Sequence, residues 1–306
     1  MFKKVQTRPK RRNIFAVVVT YHPDEGLYER IKLIRNQVDK VLIVDNNSSL
    51  DCIEMISRIS KDLDVDVIEN KSNLGVAEAL NQGFKLANIL NKNYSWILTL
   101  DQDSSCYPTL IEELSFAFEH CPFKNEVGII GTNYKEKTTG RILHKKTQDT
   151  NEWEEVKNLP TSGCLTSLSA FFDVGEFRKD LFIDYVDTEY CMRLRRHGYR
   201  VLISTKIGMV HPLGYYRKSK LHNWLRGTPM ITNYAPLRHY YWTRNGTRLI
   251  YENLWHDIRW SLNEAYYLFF RRIITVLLFE ENKIIKIRSI GLGFWHAILS
   301  RDGKKA

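Results

Sequence analysis

Along the first hundred residues, short unbroken apolar runs alternate with longer amphipathic stretches. Ile14 to Val19 (IFAVVV) is closed by Thr20, Tyr21, His22 and Pro23, and Val41 to Val44 (VLIV) by Asp45-Asn46-Asn47-Ser48-Ser49. Val65 to Ile68 repeats the form, and Trp96 to Leu100 (WILTL) runs straight into Asp101-Gln102-Asp103. Runs of this kind read as strands buried on both faces. Between them, Leu27, Ile31 and Ile34 share one face of a helix over Leu27 to Gln37. Val76, Ala79, Leu80, Gly83, Phe84 and Ala87 then make a single helical stripe. Strand and helix in alternation predict an α/β fold, a doubly wound and mostly parallel sheet flanked by helices. Ligands of such sheets bind outside the carboxyl ends of the strands. The loops holding Thr20-Tyr21, Asp45-Asn46 and Asp101–Asp103 are therefore expected to line one crevice.

From about residue 127 the strands shorten: Val127 to Gly131, Leu165 to Ser169, Val201 to Ser204 and Met209 to His211. A helix is predicted over Tyr185 to His197, stopped by Gly198. After Gly214 the chain is rich in Tyr, Trp, Arg and His, then helical from roughly Leu254 to Glu281. The domains expected are a basic tail over 1–12, a catalytic domain over 13–215 and a basic, aromatic, helical region over 216–306.

Charge sharpens this division. Residues 191–306 carry 21 Lys plus Arg against 6 Asp plus Glu, a net +15, while residues 1–190 carry 24 against 29, a net −5. The basic part is either a solvated face or a surface that meets phosphates, in nucleic acid or an anionic membrane. No segment has the form of a signal peptide. The nearest approach to a membrane span, Tyr266 to Phe279, carries Arg271 and Arg272 at its middle, at a cost of roughly 5 kcal/mol or more. Five cysteines without a C-x-x-C pair argue against a disulfide framework or zinc ribbon and fit a reducing cytosol. In the last region, Leu254, Ile258, Leu262, Ala265, Phe269, Ile273 and Val276 form an apolar stripe beside Arg259, Arg271 and Arg272. Such a helix lies on an anionic membrane or packs against the catalytic domain.

Several common chemistries lose their signatures. Gly140 to Thr147 approaches a P-loop but has Lys145 where the second glycine belongs, and Gly291-Leu292-Gly293 has no preceding strand. There is no H-E-x-x-H and no G-x-S-x-G. What remains is the pair Asp101 and Asp103, two carboxylates able to share a hard divalent cation and its phosphate ligand. An acidic turn, or an N-cap for a helix over Thr109 to His120, would explain the tripeptide alone; its place after WILTL favours function. His211, ending an apolar strand in MVHPLG, is either a satisfied core histidine or a metal ligand. In FIDYVDTEYCMRLRRHGYR, Asp187 shares a helical face with Tyr190, Cys191 and Leu194, whereas Glu189, Arg193 and Arg196 read as a salt-bridged surface. Asp184 and Asp187 also suit the helix dipole.

These residues resemble glycosyltransferase family 2, with its GT-A fold, and within it the bacterial rhamnosyltransferases of O-antigen and capsule assembly. The resemblance runs from about Ile14 to Gly214 through VVVTYHPD, VDNNSS, ENKSNLGVAEALNQGFKLA, LTLDQDS, the FIDYVDTEYCMRLRRHGYR block and HPLG, with an echo in HYYWTRNGTRL. It implies a Rossmann-like, mixed, mostly parallel sheet with a C-terminal helical extension. It also implies that Thr20 and Tyr21 border the nucleotide base, with Asp45 accepting from its imide edge. Asn73, Gly75 and Gln102 are implied beside the nucleotide, and Asp101 facing the ribose or a metal-bound water. Asp103 and His211 would hold Mg²⁺ or Mn²⁺, Asp187 would be the base, and Arg244 and Asn245 would meet the diphosphate. Val186 stands where many relatives carry a glutamate.

The activity expected is that of an inverting, metal-dependent glycosyltransferase using dTDP-β-L-rhamnose and a lipid-linked saccharide in surface polysaccharide synthesis. It would sit peripherally on the cytoplasmic face of the bacterial membrane. The alternatives are the same fold with a UDP-hexose or UDP-galactofuranose donor, and a nucleic-acid-binding protein using the basic last third. The second has no RNA-binding signature behind it and leaves the Asp101–Asp103 crevice unexplained.

Overall fold

The computed structural model describes residues 6–90, 93–144, 152–212, 214, 216–218, 223–224, 230–300 and 302–305. The chain forms two compact units, Met1–Lys179 with Asp187–Pro212, and Asp180–Val186 with Leu213–Ala306. In the first unit the apolar runs are buried strands: β1 (Ile14–Thr20), β2 (Lys40–Asp45), β3 (Asp66–Glu69) and β4 (Trp96–Asp101). The stretches between them are α1 (Leu27–Arg35), α2 (Leu50–Leu63) and α3 (Val76–Leu90). The chain continues through β5 (Ser105–Cys106), α4 (Leu110–Glu119), β6 (Val127–Glu136), β7 (Trp153–Glu155), β8 (Cys164–Ser167), α5 (Leu168–Val174), α6 (Val186–Arg196) and β9 (Arg200–His211).

Among the described residues one sheet runs in the order β3-β2-β1-β4-β8-β6-β9-β5, with β7 added on β9. The first four strands are parallel, β8 is antiparallel to both β4 and β6, and β6 and β9 are again parallel. Strand order reverses between β1 and β4, and a ligand crevice is expected where that happens. The register aligns the carboxyl ends there: Thr20 pairs with Asp45, and Val19 with Asp101.

The strands differ in places from the sequence reading, and those expected over Val201 to Ser204 and Met209 to His211 are one, β9. The run Leu165 to Ser169 is strand only to Ser167, whose Oγ accepts from the Ala170 amide and caps α5. The two-residue β5 escaped notice because it has no periodicity to read. It pairs antiparallel with the end of β9, Ser105 against Val210 and Cys106 against Met209.

The second unit holds a hairpin of β10 (Tyr216–Lys218) and β11 (Met230–Thr232), then α7 (Pro236–Asn253), α8 (Ile258–Tyr266), a π-helical turn (Tyr267–Arg271), α9 (Arg272–Phe279) and α10 (Lys283–Ile298). The single helix expected from Leu254 begins instead after a turn, where Asp257 caps α8 by accepting from the Trp260 amide at 3.0 Å. The stripe expected either on a membrane or against the catalytic domain is divided, with Ile258 and Leu262 exposed. Val276 is fully buried, and Leu254, Ala265, Phe269 and Ile273 are only partly exposed. The π turn changes the helical phase that a constant 3.6-residue period assumes. Arg272 likewise packs inward, 3.5 Å over the Trp242 ring. The unit closes over a buried polar group in which Glu280 accepts from Lys286 Nζ at 2.6 Å and lies 3.1 Å from His239 Nε2. Burial pushes the Glu280 pKa up, but these two partners outweigh it and hold the carboxylate below its usual range. Among the described residues no helix is long and apolar enough to cross a membrane.

The close seating of α3 on β1 depends on Gly83, where a Cβ would lie 2.5 Å and 2.6 Å from the two methyls of Val17. Gly83→Ala is expected to lower unfolding free energy by about 1–3 kcal/mol through overpacking, measured by chemical denaturation. The double variant Val17→Ala/Gly83→Ala should recover part of that loss. Additive losses would mean the two side chains do not meet.

Candidate active site

The carboxyl edge of β1, β2 and β4 gathers polar groups that the sheet core excludes. Asp45 is fully buried and receives Thr20 Oγ1 at 2.7 Å, the Ser48 hydroxyl at 2.6 Å and the Ser48 amide at 2.8 Å. Burying a carboxylate costs several kcal/mol or so unless it is hydrogen-bonded, which is what these donors provide. The neighbouring loops are cross-tied: the His22 amide donates to Ser48 Oγ at 2.8 Å, and the Ser49 amide to His22 Nδ1 at 3.2 Å. His22 and Asn47 both hold positive φ, 48° and 68°, the sparsely populated backbone that clusters at binding sites. Tyr21 is half-exposed, and its main chain exchanges two bonds with the Gln102 side chain, at 2.7 Å and 3.1 Å. Asn73 Oδ1 accepts from the Gly75 amide at 2.9 Å, and Gly75 turns at φ 86°. The buried Asn46 ties this loop to β2 by donating to Gly75 O at 3.3 Å.

Asp101, Asp103 and His211 come together beside this edge, with donor atoms within 4.8 Å of one another. The pairing of β5 with β9 brings them together, since it lays the loop after β4 against the end of β9. Asp103 Oδ1 is shielded from solvent, has no hydrogen-bond partner and lies 3.6 Å from His211 Nδ1. An orphaned carboxylate oxygen facing an imidazole and a second carboxylate is what a divalent cation would satisfy. Small side-chain rotations would let these atoms meet one ion, whose ligands at about 2.1 Å lie no more than about 4.2 Å apart. Two oxygen donors and an imidazole suit Mg²⁺ or Mn²⁺. Ser104 and Ser162, missed in the sequence, hold the cluster in place. Ser104 Oγ is 2.8 Å from His211 Nδ1 and 2.7 Å from Ser162 Oγ, which accepts from the Asp101 amide at 3.0 Å. Ser104 sits directly after the acidic pair, a signal that was available; Ser162 lies 58 residues further on and gave none.

Asp187 stands in the first turn of α6, half-buried, its Oδ1 accepting from the Thr188 amide at 2.7 Å. On the same face Tyr190, Cys191 and Leu194 are buried. Burial drives the Cys164 thiol well above its ordinary pKa, and Cys191, Asp187 and Asp101 add to the shift. Glu189 is taken up by Arg193, with two contacts of 2.9 Å, while that guanidinium also donates to the carbonyls of Val174 and Glu176.

The structure places Arg244 and Asn245, expected at a diphosphate, in the interior of the second unit. Arg244 is fully buried in the second unit, where its Nη2 donates to the carbonyls of Asp180 and Leu181, Nη1 to Gly303 and Nε to Asn245. Asn245 Nδ2 donates to the carbonyls of Leu181, Ile183 and Asp184. Each nitrogen of the arginine is thus engaged inside the fold. The pair knots the segment Asp180–Val186, in which Phe182, Asp184 and Tyr185 all hold positive φ. Burial lowers the Arg244 pKa.

Residues 15–178 match the family Glycosyl transferase family 2. The chain is 32% identical to dTDP-rhamnosyl transferase RfbF of Shigella flexneri, over 79% of this chain and 81% of that protein. It is 23% identical to the poly-beta-1,6-N-acetyl-D-glucosamine synthase of Staphylococcus aureus over 58% of this chain, and spans 43% of that longer protein. Residues 1–349 of S. aureus TarS share the fold, with a TM-score of 0.59 at 15% identity, covering 94% of this chain and 82% of that one. The same TarS fragment in complex with UDP gives a TM-score of 0.58 at 17% identity. The sheet is therefore of the GT-A type.

Mn²⁺ titration, read by loss of the free-ion electron paramagnetic resonance signal, tests the cluster. Asp103→Asn is expected to abolish tight Mn²⁺ binding and His211→Ala to weaken it less. Ser104→Ala should weaken it about tenfold, the usual cost of losing a group that orients a ligand. Unchanged Mn²⁺ affinity in Asp103→Asn would remove the metal assignment.

Proposed function

This chain belongs to glycosyl transferase family 2, and from that membership we propose a divalent-metal-dependent, inverting rhamnosyltransferase. Its donor in this reading is dTDP-β-L-rhamnose and its acceptor a lipid-linked saccharide of surface polysaccharide synthesis. The acceptor would keep the protein peripherally on the cytoplasmic face of the membrane. The observation that carries the catalytic part is the shielded, unpartnered oxygen of Asp103 facing His211 at the carboxyl edge of the sheet. The choice of sugar is supported by the 32% identity to the Shigella flexneri dTDP-rhamnosyl transferase over most of both chains.

Each residue then has a task. Thr20, Tyr21, Asp45, Asn73, Gly75 and Gln102 form the nucleotide side of the crevice. Gly75 allows a ligand to approach the backbone, and Asp45, held by Thr20 and Ser48, is fixed as an acceptor. Asp103 and His211, with Asp101 beside them, would hold the cation, which when bound offsets the charge of the diphosphate leaving group. The acceptor hydroxyl oxygen attacks the anomeric carbon as its bond to the diphosphate oxygen breaks, and Asp187 takes the hydroxyl proton. With one base and no enzymic nucleophile the displacement is single, and the anomeric configuration inverts.

Purified protein offered a panel of sugar nucleotides with and without Mg²⁺ or Mn²⁺ is expected to release nucleotide from dTDP-β-L-rhamnose only when metal is present. Turnover confined to a UDP-hexose or UDP-galactofuranose would overturn the sugar and leave the family membership intact. Asp187→Asn should cut transfer by about 10²–10⁴-fold while donor affinity and melting temperature stay near wild type. A folded Asp187→Asn protein with near-normal transfer would move the base elsewhere.

A further inference from the structure

The rod from Ile258 to Phe279 leaves a continuous apolar stripe in solvent. Ile258, Leu262, Tyr266, Phe270, Ile274 and Leu278 follow one another at intervals of four residues, and all are exposed, by 54, 62, 54, 56, 40 and 47%. In an uninterrupted α-helix a four-residue spacing drifts around the axis by about 40° per step. The π-helical turn at Tyr267–Arg271 fits more residues into one turn and swings the stripe back toward its starting direction. The rod keeps its other face for packing, with Ser261, Leu268, Val276 and Phe279 buried. Six large side chains on one line, over roughly 30 Å of helix, exceed the scattered apolar exposure that is normal for a surface. Trp255, 89% exposed, stands just ahead of the stripe.

We infer that this stripe is a membrane-docking surface that lies in the interface of an anionic bilayer leaflet. The inference rests on the proposed membrane location and names the surface responsible for it. Charge selects the occupant. The exposed charged residues of the rod are Arg259 and Arg271, with no exposed acid among them. Of the acids nearby, Asp257 caps α8, Glu264 accepts from the Tyr185 hydroxyl and Glu280 is buried against Lys286, while Glu252 and Glu281 are exposed beyond the two ends of the rod. Residues 213–306 carry 16 Lys plus Arg against 6 Asp plus Glu, a net +10. A second copy seated on the same stripe by two-fold symmetry would set cationic surfaces against each other. An anionic lipid surface would receive the arginines and the apolar line together. Arg271 is already turned along the rod, with its guanidinium 4.7 Å from the Tyr267 ring centre. The stem can thus lie on apolar surface while the charge reaches headgroups.

The test is flotation of the full chain with vesicles of phosphatidylcholine and phosphatidylglycerol in equal parts, and with phosphatidylcholine alone. Wild type is expected to float with the mixed vesicles and weakly with the neutral ones. The triple variant Leu262→Ser/Phe270→Ser/Ile274→Ser should bind the mixed vesicles about tenfold more weakly or worse, with unchanged melting temperature and donor turnover. Should that variant melt early, Leu262→Ser and Arg271→Glu separately, both at exposed positions, are each expected to weaken vesicle binding. Unaltered flotation of the folded variants overturns the inference. So does a wild-type dimer in sedimentation velocity that the substitutions break into monomers without any change on vesicles. Stripe-dependent flotation with no turnover of any sugar nucleotide would leave the surface standing and remove the proposed activity; normal turnover with no flotation would do the reverse.

Discussion

The antiparallel pairing of Ser105-Cys106 with Met209-Val210 is the constraint on which the site depends. It takes the loop leaving β4 and fastens it to the end of β9, so that Asp103 meets a histidine 108 residues away in sequence. Without it, Asp101 and Asp103 would be two acids in a solvated turn. With it, an oxygen of Asp103 is sealed from water with no hydrogen-bond partner, 3.6 Å from His211. An uncompensated buried carboxylate oxygen is unfavourable, and the fold tolerates it because β5 and β9 fix both sides. The same pairing seats Ser104 between His211 and Ser162, so the ring and the two hydroxyls share one hydrogen-bonded frame beside the acid.

That frame meets the crevice through the parallel half of the sheet. Because β1 lies between β2 and β4 in parallel register, Thr20, Asp45 and Asp101 end on one edge. Reversal of strand order beside β1 opens the edge to a ligand. The antiparallel insertion of β8 next to β4 places Cys164 opposite Thr99. The proposed nucleotide and cation sides therefore rest on one edge of the sheet, while the proposed base, Asp187, stands on α6.

Much of this was legible because buried parallel strands announce themselves. IFAVVV, VLIV and WILTL admit no polar residue until the chain leaves the sheet, so the first polar residue after each run marks the ligand edge. Asp187 was legible as an acid among Tyr190, Cys191 and Leu194. Contacts between distant segments were less so: Ser162 is an ordinary serine until the fold sets it 2.7 Å from Ser104. Arg244 shows the converse, since the sequence carries no sign of its carbonyl partners at Asp180, Leu181 and Gly303. The outer stripe of the last helices departs from the stripe legible in the sequence because a π turn has no signature in a 3.6-residue period.

The central claim is that Asp101, Asp103 and His211 form one cation site at the nucleotide edge of the sheet. Diffraction at the manganese absorption edge, from crystals grown with dTDP and Mn²⁺, tests it most directly. The account predicts one anomalous peak bridging an Asp103 carboxylate oxygen and the His211 ring, with the diphosphate bound to the same ion. Nucleotide bound in the crevice with no peak at those side chains, or a peak held by other residues, would contradict it.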